Sequence, residues 1–207
     1  MKYVTYSHRS ASAIVQATPH LAQSWDEIVD VLSKLTDADI LNNYNATSSS
    51  GSLSKALRSV ISDSLVTKYT WARDIEIIQK LSKTDRSYTA DLLKPRSETS
   101  GRPSGAIIQF SFGHYHSVTD KLVETLLATN QSSSIYEKVS SEGIGFVISA
   151  TSSLQKAGGL DSSVGTFERI QSSLVALQTI VTVPIVLIGL EAPDTFQLNS
   201  KKQIIKF

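Results

Sequence analysis

Two histidines are the most reactive side chains that the pattern of this 207-residue chain brings close together. His114 and His116 flank Tyr115, directly after an apolar segment that ends at Phe112. On an extended chain, residues two positions apart point to the same side, so both imidazoles could meet a metal ion or a phosphate. Imidazole is also an acid or base near neutral pH, which leaves metal-free catalysis open. The competing interpretation is a polar turn between a strand and a helix, with one histidine capping the helix.

The apolar segment before the histidines carries two polar side chains. The run Ala-Ile-Ile-Gln-Phe-Ser-Phe at 106–112 lies between two glycines and predicts a strand, with Gln109 and Ser111 on one face. Both side chains are neutral, and the nearest carboxylates along the chain are Glu98 and Asp120. Because Mg²⁺ in proteins takes anionic oxygen ligands, this strand alone does not supply a metal site.

The elements that must position these residues are clearest in the second half of the chain. Apolar runs predict strands at 106–112, 144–148 and 184–189, and helical spacing predicts a helix at 167–180 and another around 122–127. This order of strands and helices is typical of an α/β fold. We expect one domain, residues 1–207, with a central mixed sheet flanked by helices.

The first half of the chain is predicted to be mostly helical. Thr18-Pro19 is a helix start, and the apolar spacing that follows includes Trp25 as an anchor of the inner face. The remaining segments are a short strand at 3–6, a helix at 19–35, a loop at 42–52, helices at 53–65 and 71–81, an unpatterned stretch at 82–105, and a tail at 199–207 that pairs at a sheet edge or reaches a partner.

Composition and motifs exclude several classes of protein. The net charge is +1, from 20 basic and 19 acidic residues, so bulk charge does not bind nucleic acid here, although a local basic face remains open. Without cysteine there is no disulfide, thiolate zinc site or cysteine nucleophile. Nucleotide-binding glycine motifs and a membrane-length apolar run are also missing from the sequence. We expect a cytoplasmic protein with no membrane association and no small-molecule cofactor.

Several blocks of the sequence resemble the type II restriction endonucleases of the BglII and BstYI group. The blocks are Tyr6-Ser7-His8, then Pro19-His20, then Trp25-Asp26-Glu27-Ile28, then the strand from Gln109 to Tyr115, and finally Val183-Pro184-Ile185-Val186-Leu187-Ile188-Gly189-Leu190. They occur in the order found in that family and cover most of the chain. The resemblance implies the PD-(D/E)xK nuclease fold. It also implies a homodimer that binds double-stranded DNA, reads a short palindrome with a GATC-type core and cuts it with Mg²⁺.

The family's catalytic pattern is substituted in this chain. The pattern is an aspartate, a glutamate nine residues later and a glutamine or glutamate two further on; the first two hold Mg²⁺. The resemblance places these roles on Ser100, Gln109 and Ser111, so both metal-binding charges are lost. Glu98 would be the metal ligand if the segment around Ser100 were shifted by a local insertion or deletion, and Asp91 is a weaker candidate. His114 and His116 remain candidates for metal-free catalysis.

Candidate DNA contacts lie in two parts of the chain. The resemblance places His114 where the family has a lysine, and the loop from Lys156 to Thr166 where the family reaches the major groove. Hydroxyl groups of that loop could meet base edges, and the alternative is an ordinary surface loop. Four cations are candidates to neutralise phosphates, and the alternative for each is a solvated surface side chain. The complete set of candidates is Lys94, Arg96, Arg102, His114, Lys156, Ser162, Ser163 and Thr166.

Three functions are compatible with these observations. The first is a homodimer that binds palindromic DNA and has a degraded metal site. The second is an active type II endonuclease with a relocated acidic residue. The third is a protein-interaction module that does not bind DNA.

Overall fold

The computed structural model describes residues 1–46, 52–78, 88–96, 104–113, 121–122, 125–126, 140–199 and 202–207. The strands are β1 (Tyr3–His8), β2 (Ala72–Ile78), β3 (Tyr88–Arg96), β4 (Ser104–Ser111), β5 (Ser140–Ala150), β6 (Ile185–Leu190), β7 (Phe196–Leu198) and β8 (Ile204–Lys206). The helices of this part of the chain are α1 (Ala11–Ala17), α2 (Pro19–Lys34), α3 (Asp37–Ala46), α4 (Leu53–Tyr69), α5 (Ser152–Lys156) and α6 (Phe167–Ala176). No helix in these ranges is long and apolar enough to cross a membrane.

Six strands form one mixed sheet in the order β1-β6-β5-β4-β3-β2. The central strands β4, β5 and β6 are parallel, while β1, β3 and β2 join as antiparallel neighbours. Parallel strands are covered on both faces, which explains their nearly continuous apolar runs; all six residues of β6 are buried. The predicted central mixed sheet flanked by helices is confirmed.

The strand period of two divides the core between the two faces of the sheet. Ile108, Phe146 and Ile188 join the large core with α1 to α4. On the opposite face, Val147 and Leu187 pack with the apolar side of α6. Each helix layer is therefore attached to alternate residues of the same strands.

Local sequence signals explain where the helices begin. Helix α2 begins at Pro19, because proline is favoured in the first helical turn. Its Trp25 stacks on Phe146 with ring centroids 6.1 Å apart, as the apolar spacing predicts. Helix α4 begins after Ser52, whose hydroxyl accepts the N–H of Lys55 at 3.2 Å.

Three predictions of secondary structure are wrong. The segment predicted as a helix at 71–81 contains strand β2, and the unpatterned stretch at 82–105 contains the whole of β3. These two strands pair with each other, and this pairing overrides the weak local preference of 72–78 for a helix. The predicted loop at 42–52 overlaps α3, which continues to Ala46, and residues 47–51 lie outside the described part of the chain. The described part of the tail does not join the six-stranded sheet; its strand β8 pairs with β7 in a separate two-stranded sheet.

Shortening a buried isoleucine on β5 tests the position of the core. Ile148 is fully buried, whereas Ile180 is 67% exposed. We expect Ile148→Ala to lower the free energy of unfolding by about 2–5 kcal/mol, because it removes buried methyl groups and leaves a cavity. Ile180→Ala is the matched control and should change it by less than about 0.5 kcal/mol. Urea unfolding of both variants measures the difference, and equal losses would contradict this core.

Candidate functional site

Gln109 and Ser111 lie inside the protein, where strands β3 and β4 separate. The two strands pair from Arg96 opposite Ser104 to Leu92 opposite Ile108. The next residue of β3 is Asp91, which stands beside Gln109. All three polar side chains are buried; Gln109 is completely inaccessible. The separation therefore places a carboxylate next to the substituted family position.

Side chains replace the missing backbone pairs at this separation. The N–H of Asp91 donates to Gln109 Oε1 at 3.3 Å, and Gln109 Nε2 donates to the carbonyl oxygen of Thr89 at 2.9 Å. The N–H of Phe110 donates to Asp91 Oδ2 at 2.6 Å. Both ends of the Gln109 amide thus hold β3 and β4 together.

Two cations compensate the buried carboxylate from opposite faces of the sheet. Arg58 on α4 donates from Nη2 to Asp91 Oδ1 at 2.7 Å. Lys121 Nζ lies 3.4 Å from each Asp91 oxygen and 3.2 Å from Gln109 Oε1. Helix α4 belongs to the large core, whereas the neighbouring Leu122 belongs to the core under α6. We call Arg58, Asp91, Gln109 and Lys121 the Asp91 cluster.

The described residues do not fit Mg²⁺. They contain no group of three His, Asp or Glu side chains that could hold a metal ion. Two carboxylates meet at Arg58, whose Nη2 lies 3.3 Å from Asp74 and 2.7 Å from Asp91. A guanidinium therefore lies where a cation shared by these two groups would be, and Lys121 adds a second positive charge. No catalytic step through a metal follows from this arrangement.

The carboxyl ends of the three parallel strands carry small residues on the Gln109 face. Ser111 on β4 is level with Ser149 on β5, and Ser149 is level with Gly189 on β6. The ring of Phe167 lies so close to Gly189 that a Cβ atom there would be 2.7 Å from a ring carbon. Both serine hydroxyls are buried and have no hydrogen-bond partner within the described part of the chain. This row is thus packed interior, and Ser111 occupies no exposed catalytic position.

The predicted DNA-contact loop is tied to the end of β4. The N–H of Gly165 donates to the carbonyl oxygen of Gly113 at 3.2 Å. A cleft of about 450 Å³ lies beside this contact and is lined by Phe112, Gly113 and Asp161, among others. The loop is therefore connected to the residues that directly follow β4.

The three candidate hydroxyls of this loop have different environments. Ser162 is exposed. Ser163 is partly exposed, and its hydroxyl donates to Asp161 Oδ1 at 2.7 Å. Thr166 is 2% exposed and precedes α6. Ser162 is thus the hydroxyl best placed to meet a ligand, and Lys156 is exposed on the adjoining helix α5.

Lys94 has an internal partner. Its side chain is 19% exposed, and Nζ lies 3.0 Å from Oε1 of the buried Glu27. Lys94 also donates to the carbonyl oxygen of Tyr69, and the indole N–H of Trp71 donates to Glu27 Oε2 at 2.8 Å. This placement favours a structural role for Lys94, whereas Arg96 is exposed at the end of β3. The candidates outside the described residues are Glu98, Ser100, Arg102, His114 and His116.

The sequence analysis missed Arg58 and Lys121, and it named Asp91 only as a weaker candidate for a metal ligand. Asp91 lies between Ala90 and Leu92, both buried, and a carboxylate inside an apolar strand requires compensation. That signal was available in the sequence. Its partners were not, because Arg58 and Lys121 are about thirty residues away on either side.

Removing the Lys94 charge should destabilise the fold. Lys94→Met leaves the Glu27 carboxylate buried without its ion-pair partner, so we expect a loss of about 3–5 kcal/mol in the free energy of unfolding. Lys2→Met is the matched control, since Lys2 pairs with Asp194 on the surface. Chemical unfolding checks both variants. If Lys94→Met is as stable as the parent but binds DNA more weakly, the result would instead indicate that Lys94 contacts a phosphate.

The carboxylate of Glu168 on α6 binds Ser152 at the start of α5, and this contact predicts that the stability of the fold depends on pH. Both oxygens of Glu168 accept the N–H of Ser152 at 3.0 Å, and Oε2 accepts the Ser152 hydroxyl at 2.7 Å. Partial burial by itself raises the pKa of Glu168, but these hydrogen bonds outweigh it and hold the pKa below its ordinary value.

A depressed pKa stabilises the fold above the ordinary carboxyl range, and this contribution is lost as the pH falls through the native pKa. We therefore expect Glu168→Gln to be less stable than the parent at pH 7 and to approach it below about pH 4. Thermal melting across this pH range measures the effect. If the difference in melting temperature between the two proteins is the same at every pH, the stabilising role of the Glu168 carboxylate is contradicted.

This chain matches one family model and is similar to solved structures of restriction endonucleases. The family model described as restriction endonuclease BglII/BglIII matches residues 3–190. No curated protein matches this chain. Among solved structures, one described as restriction endonuclease BglII complexed with a DNA 16-mer has a TM-score of 0.62 and 20% identity, covering 95% of this chain and 82% of that chain.

A second structure, described as free BglII, has a TM-score of 0.53 and 16% identity, with 100% of both chains covered. At these identities the two structures show a shared fold. The family model spans nearly the whole chain and confirms the resemblance that the sequence blocks indicate. The chain belongs to the BglII/BglIII family of restriction endonucleases.

Proposed function

We propose that this protein is a restriction-endonuclease-like homodimer that binds short palindromic duplex DNA and has a degraded metal site. Family membership and the similarity to a BglII structure that contains DNA support the binding of DNA. A palindrome presents two equal half-sites, which a twofold-symmetric dimer matches. The GATC-type core follows from the resemblance to the BglII and BstYI group.

The hydrogen bonds and ion pairs of the Asp91 carboxylate are the observation that supports the proposal of a degraded metal site. One oxygen accepts the Phe110 N–H, and the other accepts from Arg58, with Lys121 beside both. Gln109 supplies no charge, and its amide is used between the strands. A magnesium ion would have to displace these partners and approach two cations.

An active endonuclease is the second candidate, and one observation favours it. Asp91 provides a carboxylate directly beside Gln109, although the family's spacing places the acidic residue at Ser100. In that case Mg²⁺ would be the cofactor, and Asp91 or Glu98 would be the relocated acid. The interaction module without DNA binding remains the third candidate.

Cleavage and binding assays on the same DNA separate these functions. Purified protein is incubated with a plasmid rich in GATC-containing sites, in Mg²⁺, in Mn²⁺ and in EDTA, alongside gel shifts on a duplex with the same sites. We expect a specific shift without cutting, because the described site has no place for a metal.

Other outcomes would overturn this proposal. Discrete cutting that requires metal and is lost in Asp91→Asn or Glu98→Ala would establish the active enzyme. Cutting in EDTA would indicate chemistry by His114 and His116. A folded protein that neither shifts nor cuts any tested duplex would favour the interaction module.

A further inference from the structure

A pocket beside the Asp91 cluster is rich in basic side chains. It has a volume of about 280 Å³ and lies between helix α4 and the β2–β3 hairpin. Lys55 and Arg58 line it from α4, Arg73 and Asp74 from β2, and Asp91 from β3. Unlike Gln109 and Ser111, which are buried in the sheet, this pocket opens to solvent.

The described side chains around this pocket leave one positive charge in excess. Three cations line it, Lys55, Arg58 and Arg73, against the two carboxylates of Asp74 and Asp91. Outside the lining, Asp63 pairs with Arg73, and Lys121 contacts Asp91. Two of the ion pairs lie at the surface. Arg73 pairs with the half-exposed Asp63, and the Asp74 side chain is 71% exposed, so water and salt screen both carboxylates.

Gln109 adds no negative charge behind this pocket. Lys121 Nζ is 3.2 Å from the neutral Oε1 atom of Gln109, where the family pattern has a glutamate. A carboxylate at position 109 would add a negative charge beside Lys121 and Asp91. The substitution therefore removes a metal ligand and at the same time leaves the site electropositive, which favours an anion over a cation.

Arg58 is the side chain of this pocket that is best placed to bind an anion. Its side chain is 47% exposed, and Cζ lies 6.0 Å from the centre of the Phe110 ring. It contacts Asp74 and Asp91 through the same nitrogen, Nη2. Because a guanidinium has five N–H donors, Arg58 can hold Asp91 and a phosphate oxygen at the same time.

We propose that the pocket around Arg58 binds a backbone phosphate of duplex DNA directly, without a metal ion. Arg58 is the central contact, Lys55 is a flanking contact, and Lys121 neutralises Asp91 so that Arg58 retains its charge for the ligand. This inference rests on the proposed DNA-binding function. It adds a location for one phosphate and a reason why binding needs no Mg²⁺.

Salt dependence of DNA binding tests the phosphate contact. Fluorescence anisotropy in EDTA measures Kd over a range of salt concentrations, for a labelled duplex with a GATC palindrome and for one without it. Each phosphate contact contributes about 0.9 to the slope of log K against log salt. We expect Arg58→Gln and Lys55→Gln each to reduce this slope by about 1 and to weaken both duplexes by the same factor.

Two further variants make the test specific. Lys68→Gln is the matched control, because Lys68 lies near the other end of α4 and pairs with Asp30. It should keep the parental slope. Gln109→Glu restores the family's charge beside Lys121, and we expect it also to lower the slope in EDTA. If Arg58→Gln lowers the melting temperature, the salt slopes of Lys55→Gln and Gln109→Glu decide whether the pocket binds a phosphate.

The outcomes separate this inference from the function on which it rests. If the parent protein binds neither duplex, the proposed DNA-binding function fails. If the parent binds but requires Mg²⁺, or if folded variants at positions 58, 55 and 109 keep the parental slope, the phosphate pocket fails and DNA binding stands. A reduced slope in these variants, with Lys68→Gln unchanged, supports the pocket.

Discussion

The buried carboxylate of Asp91 is the constraint on which the centre of this structure depends. A charge inside an apolar sheet is tolerated only when hydrogen bonds and opposite charges compensate it. Here the compensation comes from a backbone N–H of β4, from Arg58 on one helix layer and from Lys121 on the other. One side chain thus connects both layers to the sheet at the point where β3 and β4 separate.

The same arrangement joins β3 and β4 through side chains of the protein itself. The amide of Gln109 makes hydrogen bonds between the two strands, and the guanidinium of Arg58 lies between the carboxylates of Asp74 and Asp91. The side chains of Asp91 and Gln109 therefore have their hydrogen-bond partners within the protein.

Sequence patterns predicted the parts of the fold that depend on local physics. Pro19 begins α2, and the apolar runs around Ile148 and Ile188 form central strands, because burial on both faces leaves a continuous hydrophobic signal. Strand β2 was missed, since its conformation depends on pairing with β3. Arg58 and Lys121 were missed for the same reason: they are distant from Asp91 in sequence, and only the folded sheet brings them together.

The outer strand β2 also has a consequence for how these molecules meet one another. In the described sheet its free edge could act as a template for a strand of another chain. Asp74 interrupts this edge with a left-handed backbone conformation, φ 48°, and a register shift follows between Glu76 and Ile78. An irregular edge that carries charged side chains is a poor template. The kink that turns Asp74 toward Arg58 therefore also protects the protein against aggregation through its sheet.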